Sequence, residues 1–159
     1  MPKDAWPDTG NITLISHSGT CFLALQFVDR RHRHNLCVSA GQELTVTAAD
    51  YMDYALEQPS TRVIALFLET VREPEAFQAA LEKAVARDIP VVALKVGKTA
   101  KSAALARSHS GALAGDDAAY EALFDHYGVM RVETWDDLTA TARVFSHHKR
   151  LAPGGISGI

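Results

Sequence analysis

The chain alternates between short continuous apolar runs and longer stretches in which apolar residues recur every three or four positions. Residues 12–15, 62–68 and 89–94 are runs of the first kind. The sequence RVIALFL at 62–68, bounded by charge, has the character of a parallel strand buried on both faces. Residues 35–40, ended by Gly41, and residues 129–133 predict two more strands. Between the strands the period is helical. Residues 22–28 carry the spacing of a buried helix. Residues 47–57 predict another, with Thr47 as its cap, Asp50 three positions on and Pro59 just past its end. Pro74 opens a third, at a tolerated first-turn position, with Phe77, Ala80, Leu81, Ala84 and Val85 as its inward stripe. Residues 116–127 place Ala119, Tyr120, Leu123, Phe124 and Tyr127 on one side and end at Gly128, and residues 136–148 form the last helix. Strands alternating with helices at this spacing predict an α/β domain: a flavodoxin-like open parallel sheet of five strands in the order 2-1-3-4-5, with helices on both faces. Residues 1–10, with Pro2 and Pro7, read as a lead-in or linker, 11–150 as the domain, and the Gly-rich 151–159 as a linker into a following domain.

Composition narrows the classes. A chain of 159 residues is long enough for one full hydrophobic core and too short for two ordinary domains. Charged residues make up 22% and the net charge is −3, so no broad basic surface points to nucleic acid or to a membrane. No apolar run approaches the ~18 residues of a membrane span, and no signal peptide is recognisable. Cys21 and Cys37 are therefore read as reduced residues of a cytoplasmic protein, packed in the core, with a disulfide between them as the less favoured alternative. The run DRRHRH at 29–34 reads as a solvated helix end, where cations complement the dipole. His32 and His34, two positions apart, would not share a helix face and lack further ligands, so no metal site is predicted. Trp6 and Trp135 read as packing residues, and His147 and His148 as solvated.

The candidate chemistry lies in loops. Residues 95–115 follow the fourth strand and centre on His109, with Gly97, Gly111 and Gly115 able to bring main-chain N–H groups close to a ligand. Residues 16–20 form a strand-to-helix turn with two open readings: an anion site at the positive end of a helix dipole, or a helix that Ser18 merely caps. Ligands of open parallel sheets bind beyond the carboxyl ends of the strands, where the order reverses. An order 2-1-3-4-5 sets strands one, three and four side by side, which makes neighbours of the loops holding Ser18, Glu69 and His109. Two other motifs fail. The Gly97-Lys98-Thr99 ending of a P-loop has Val92 where a glycine is needed, and a hydrolase elbow around Ser18 has Ser16 and Thr20 in place of glycines.

Ser108-His109-Ser110-Gly111-Ala112-Leu113-Ala114-Gly115-Asp116 resembles the phosphohistidine segment of NDP-forming acyl-CoA synthetases, the succinyl-CoA synthetase superfamily. Ile15-Ser16-His17-Ser18-Gly19, Ser39-Ala40-Gly41-Gln42 and Ala65-Leu66-Phe67-Leu68-Glu69 match the same family in the same order. The resemblance covers nearly the whole chain but only one domain of the family's larger proteins. It implies that His109 accepts and donates phosphate. Imidazole suits that work, because it attacks phosphorus with a neutral nitrogen near pH 7 and leaves more readily than an alkoxide. Glu69 would orient the ring, and Ser18, Gly19, Thr20, Ser110 and Gly111 would hold phosphate oxygens. Substitution of Gly19 by valine is expected to crowd the anion, and to strain the turn if Gly19 has a positive φ. The full-length protein is expected to use CoA, ATP or another NTP, and Mg²⁺, none of them held by this piece alone. It is also expected to need a CoA-binding Rossmann domain and an ATP-grasp domain, fused or in a partner subunit, and to act on a small carboxylic acid. The chain departs from the usual family residues at His17 (glutamine), Gln42 (asparagine), Leu44-Thr45 (alanine-aspartate) and Ser110 (threonine). A non-catalytic regulatory or scaffolding module of the same fold, as in fused acetyltransferases, is the alternative. A serine hydrolase acting through Ser18 ranks below it.

Overall fold

A computed structural model describes residues 10–27, 32–97 and 117–147. Its strands are β1 (Ile12–Ser16), β2 (His34–Ser39), β3 (Val63–Leu68), β4 (Val91–Lys95) and β5 (Met130–Arg131). They form one all-parallel sheet in the order β2-β1-β3-β4-β5, the order expected. The helices are α1 (Gly19–Phe27), α2 (Ala48–Glu57), α3 (Pro74–Ala86), α4 (Asp117–Tyr127) and α5 (Trp135–Ser146).

The two-residue alternation of a strand sorts the core into two layers. Ile15, Ile64, Leu66, Leu68, Val91 and Ala93 face α2, α3 and α4 through Met52, Leu56, Phe77, Leu81 and Phe124. Ile12, Leu14, Val63, Ala65, Phe67, Val92 and Leu94 face the other way, against Leu138 and Ala142 of α5. Trp135 stacks on Phe67 with ring centroids 4.6 Å apart, the packing role expected of it. The cap of α2 also forms as expected: the Asp50 carboxylate accepts from the Thr47 N–H at 2.8 Å and from its hydroxyl at 3.0 Å.

Several expectations need correction. Helix α1 starts at Gly19, three residues before the apolar pattern begins, because Ser18 caps it and the first turn needs no apolar residue. It is not a buried helix along its first turns, since Leu23 is half-exposed. Val85 and Ala119 lie outside the inward stripes assigned to them, because α3 buries only the narrower arc of Phe77, Ala80, Leu81 and Ala84, and α4 only Tyr120 and Phe124. β5 is two residues long rather than five. His34 belongs to β2, not to a solvated helix end. Burial and, secondarily, the neighbouring His32 push its pKa down to about 4. Cys21 and Cys37 form no disulfide and are half-buried against the α5-side core rather than within it.

Candidate functional site

Four adjacent strands deliver their loops to the carboxyl edge of the sheet, and main-chain hydrogen bonds tie those exits together. The His17 N–H donates to the Phe67 carbonyl at 3.1 Å, the Ala40 N–H to Ser16 at 2.8 Å and the Val96 N–H to Leu68 at 3.0 Å. The ends of β1, β2, β3 and β4 thus form one platform. Ser18 and Glu69 stand on it, as the strand order required. His109, Ser110 and Gly111 lie outside the described residues. So does most of the loop that leaves β4 after Gly97.

At Ser16–Thr20 the geometry favours the cap. The Ser18 hydroxyl accepts the Cys21 N–H at 3.3 Å, and the Ser18 N–H is itself directed to Ser16 Oγ at 3.2 Å. The expectation that the Ser18 N–H faces an anion is therefore corrected. The first two N–H groups of the helix, at Gly19 and Thr20, have no intrahelical acceptor by the geometry of any helix start. Gly19 is not among the residues with positive φ, and a Cβ built on it would meet only Ser39 Oγ, at 3.7 Å, so the strain foreseen for its substitution does not arise.

Sequence reasoning named His17 only as a departure from the family's glutamine, and gave Glu43 and Lys95 no role. His17 follows β1 and is buried, with only 3% of its side chain accessible. Its Nε2 lies 2.9 Å from Glu43 Oε1, and its Nδ1 accepts the Glu69 main-chain N–H at 3.1 Å. Glu43 comes from the β2–α2 loop, where Gly41 (φ 59°) and Glu43 itself (φ 52°) both take left-handed backbone. That turn aims the carboxylate inward, where Oε1 also accepts the Ala48 N–H in the first turn of α2. A carboxylate at a helix start satisfies an orphan donor and complements the dipole. Leu44, next in the same loop, is 85% exposed.

Lys95 ends β4 and is 2% exposed. Its ammonium donates to the Val96 carbonyl and sits 4.5 Å above the Tyr120 ring, while the Tyr120 hydroxyl accepts the Val71 N–H at 2.9 Å. Burial pushes the Lys95 pKa below its usual value; Asp117 opposes the drop, Arg131 adds to it and Glu69 opposes it. The Lys95 amine thus lies buried under the platform, within electrostatic reach of Glu69. The signals for these residues were slight: a lysine closing an apolar strand, a histidine between two serines, and a glutamate two positions after Gly41.

Among the described residues no three His, Cys, Asp or Glu side chains gather as metal ligands, and no helix is long and apolar enough to cross a membrane. A cleft of 440 Å³ lies at the opposite, amino edge, lined in part by Thr61, Arg62, Arg87, Asp88 and His147, and holds none of the expected site residues.

Residues 9–145 match the family described as the succinyl-CoA ligase like flavodoxin domain. The chain is 30% identical over 155 residues to an ADP-forming acetate–CoA ligase of Methanocaldococcus jannaschii, a match covering 95% of this chain and 21% of that protein. It is 32% identical over 148 residues to the alpha subunit of ADP-forming acetate–CoA ligase I of Pyrococcus furiosus, covering 92% of this chain and 31% of the subunit. Among solved structures it is similar to the dinucleotide forming acetyl-coenzyme A synthetase 1 of Candidatus Korarchaeum cryptofilum, solved with phosphate and ADP. The TM-score is 0.77 at 27% identity, over 87% of this chain and 30% of that one. The chain therefore spans between about a fifth and a third of the length of these relatives.

Proposed function

Because the chain belongs to the succinyl-CoA ligase like flavodoxin domain family, we propose that it is the phosphohistidine-carrying domain of an NDP-forming acyl-CoA synthetase. The full-length protein joins a small carboxylic acid to CoA while an NTP is converted to NDP and phosphate, reversibly. A ring nitrogen of His109 attacks the terminal phosphorus of the NTP, and the bond to NDP breaks. The phosphoryl group then passes from the ring to the carboxylate of the acid. CoA thiolate displaces it from the acyl phosphate, releasing phosphate. Glu69 orients the imidazole through the other ring nitrogen. The N–H groups of Gly19 and Thr20, with Ser110 and Gly111, hold the phosphate oxygens, and Ser18 keeps that helix start in place.

The observation that carries this proposal is the shared platform: the exits of β1, β3 and β4 are hydrogen-bonded neighbours, so Ser18, Glu69 and the start of the His109 loop occupy one edge. CoA and the nucleotide with its Mg²⁺ are taken by a CoA-binding Rossmann domain and an ATP-grasp domain, in the same chain or in a partner subunit. The protein acts in the cytoplasm. Relatives that are one long chain and relatives named as a subunit agree with either arrangement.

The test is to incubate the full-length protein with γ-labelled ATP and Mg²⁺ and to measure acid-labile, base-stable phosphate. The wild type is expected to label and His109→Ala not to. Glu69→Gln is expected to label about 10- to 100-fold more slowly. Equal labelling of His109→Ala rejects that residue as the carrier. A wild-type protein that never labels favours the non-catalytic module instead.

A further inference from the structure

We propose that His17 is the positioning residue for Glu69: Glu43 holds its ring as the Nε2–H tautomer, and Nδ1 then fixes the main chain where it leaves β3. The tautomer follows from the partners. A main-chain N–H can only donate, so Nδ1, which receives the Glu69 N–H at 3.1 Å, carries the lone pair. Nε2 then carries the hydrogen and donates to Glu43 Oε1 at 2.9 Å. With 3% and 2% of the two side chains accessible, bulk water cannot replace either bond.

The clamp is double. The His17 N–H holds the Phe67 carbonyl while its ring holds the Glu69 N–H, so one residue grips the β3 exit at two points. On the far side of Glu69, the Val71 N–H is held by the Tyr120 hydroxyl, whose ring lies under the buried Lys95. Glu69 is thus bracketed by a side chain just past β1 and one from α4, and the main-chain bonds on both sides of it set the direction of its Cα–Cβ bond. Neither Leu nor Phe at position 17 could accept the N–H. Glutamine could, because its amide offers an acceptor to Glu69 and a donor to Glu43 in the same orientation.

The proposal rests on the reading that Glu69 acts on the phosphorylated histidine, and the test separates the two. In full-length protein labelled with ¹⁵N-histidine, the ring nitrogens of His17, assigned by their loss in His17→Gln, are expected to report the Nε2–H tautomer; the Nδ1–H tautomer would overturn the clamp whether or not the protein carries phosphate. The rate of phosphate labelling is then compared across variants. His17→Phe is expected to slow it by about 10- to 100-fold, and His17→Gln to restore a rate near wild type. In a Glu69→Ala background, His17→Phe is expected to add no further loss, because a residue acting through Glu69 has nothing left to position. A folded His17→Phe that labels at the wild-type rate, or that costs the same with and without Glu69, overturns the proposal. If His17→Phe does not fold, the tautomer and the His17→Gln rate still decide it: a Gln variant as slow as Glu69→Gln overturns it. Absence of label in the wild type counts against the proposed function and leaves the tautomer measurement standing.

Discussion

Two polar networks lie at opposite ends of β1, and they are made of different chemistry. At the amino end, Thr13 Oγ1 donates to Asn35 Oδ1 at 2.9 Å, Asn35 Nδ2 donates to Thr61 Oγ1 at 2.7 Å and to Ser60 Oγ at 3.1 Å, and Thr61 Oγ1 donates to the Ala55 carbonyl at 2.7 Å. All four side chains are short and neutral. They fasten β1 to β2, to the start of β3 and to the end of α2. At the carboxyl end the linked groups are an imidazole and a carboxylate, and the carboxylate sits on a residue in left-handed backbone. Such a conformation costs a non-glycine residue about 1–3 kcal/mol, and it persists where the surroundings over-determine it. A fold that needed only to fasten its strands could use the first kind of network at both ends. Left-handed non-glycine backbone occurs at both edges, at Glu43 and at Asp88 (φ 53°), but the buried imidazole–carboxylate pair lies at the edge where parallel sheets bind ligands.

The glycines that bracket β1 sharpen the contrast. A Cβ on Gly10 would overlap the carbonyl carbon and oxygen of Arg33, main-chain atoms of the neighbouring strand's lead-in. Backbone cannot rotate away as a side chain can. Gly10→Ala is therefore expected to destabilise the chain by about 1–3 kcal/mol or more by overpacking, read as a lower midpoint in urea. Thr61→Val comes next. It removes the hydroxyl that serves the Ala55 carbonyl and Asn35 Nδ2; the carbonyl keeps the Gln58 N–H and Asn35 keeps Ser60, so the loss is about 1 kcal/mol. Phosphate labelling of the folded Thr61→Val protein is expected to be unchanged, because the amino-end network touches nothing on the carboxyl edge. A slowed label would mean that the two ends of β1 are coupled.

What could be read beforehand follows the range of the interactions. The apolar runs and the Thr47–Asp50 cap are local signals; five strands in the expected order and that cap appear, while β5 is shorter than its apolar run. Glu69 was placed by its position directly after a strand. The link between His17 and Glu43 was out of reach, because it joins residues 26 apart through a turn whose left-handed backbone falls on a glutamate rather than on glycine alone. Lys95 read as the first residue of the loop after the fourth strand; it closes β4 instead, and the packing of Tyr120 from α4 helps to bury it. Ser18 carried two readings at once, since a capped helix start and an anion site share the same residues until the direction of one N–H is known.

The smallest expected effect is at the other bracketing glycine. Gly19 occupies the first turn of α1, its φ is not positive, and a Cβ there meets only the Ser39 hydroxyl, at the ordinary distance of 3.7 Å. Alanine gives up less backbone freedom on entering a helix, so Gly19→Ala is expected to leave stability unchanged or raise it by up to about 1 kcal/mol. An added methyl does not remove the Gly19 N–H, but it narrows the approach to it. Phosphate labelling of full-length Gly19→Ala should then fall while its urea midpoint holds. Matched falls in both would place Gly19 with Gly10 as a packing glycine. An unchanged label in a stable variant would move the phosphate away from the start of α1.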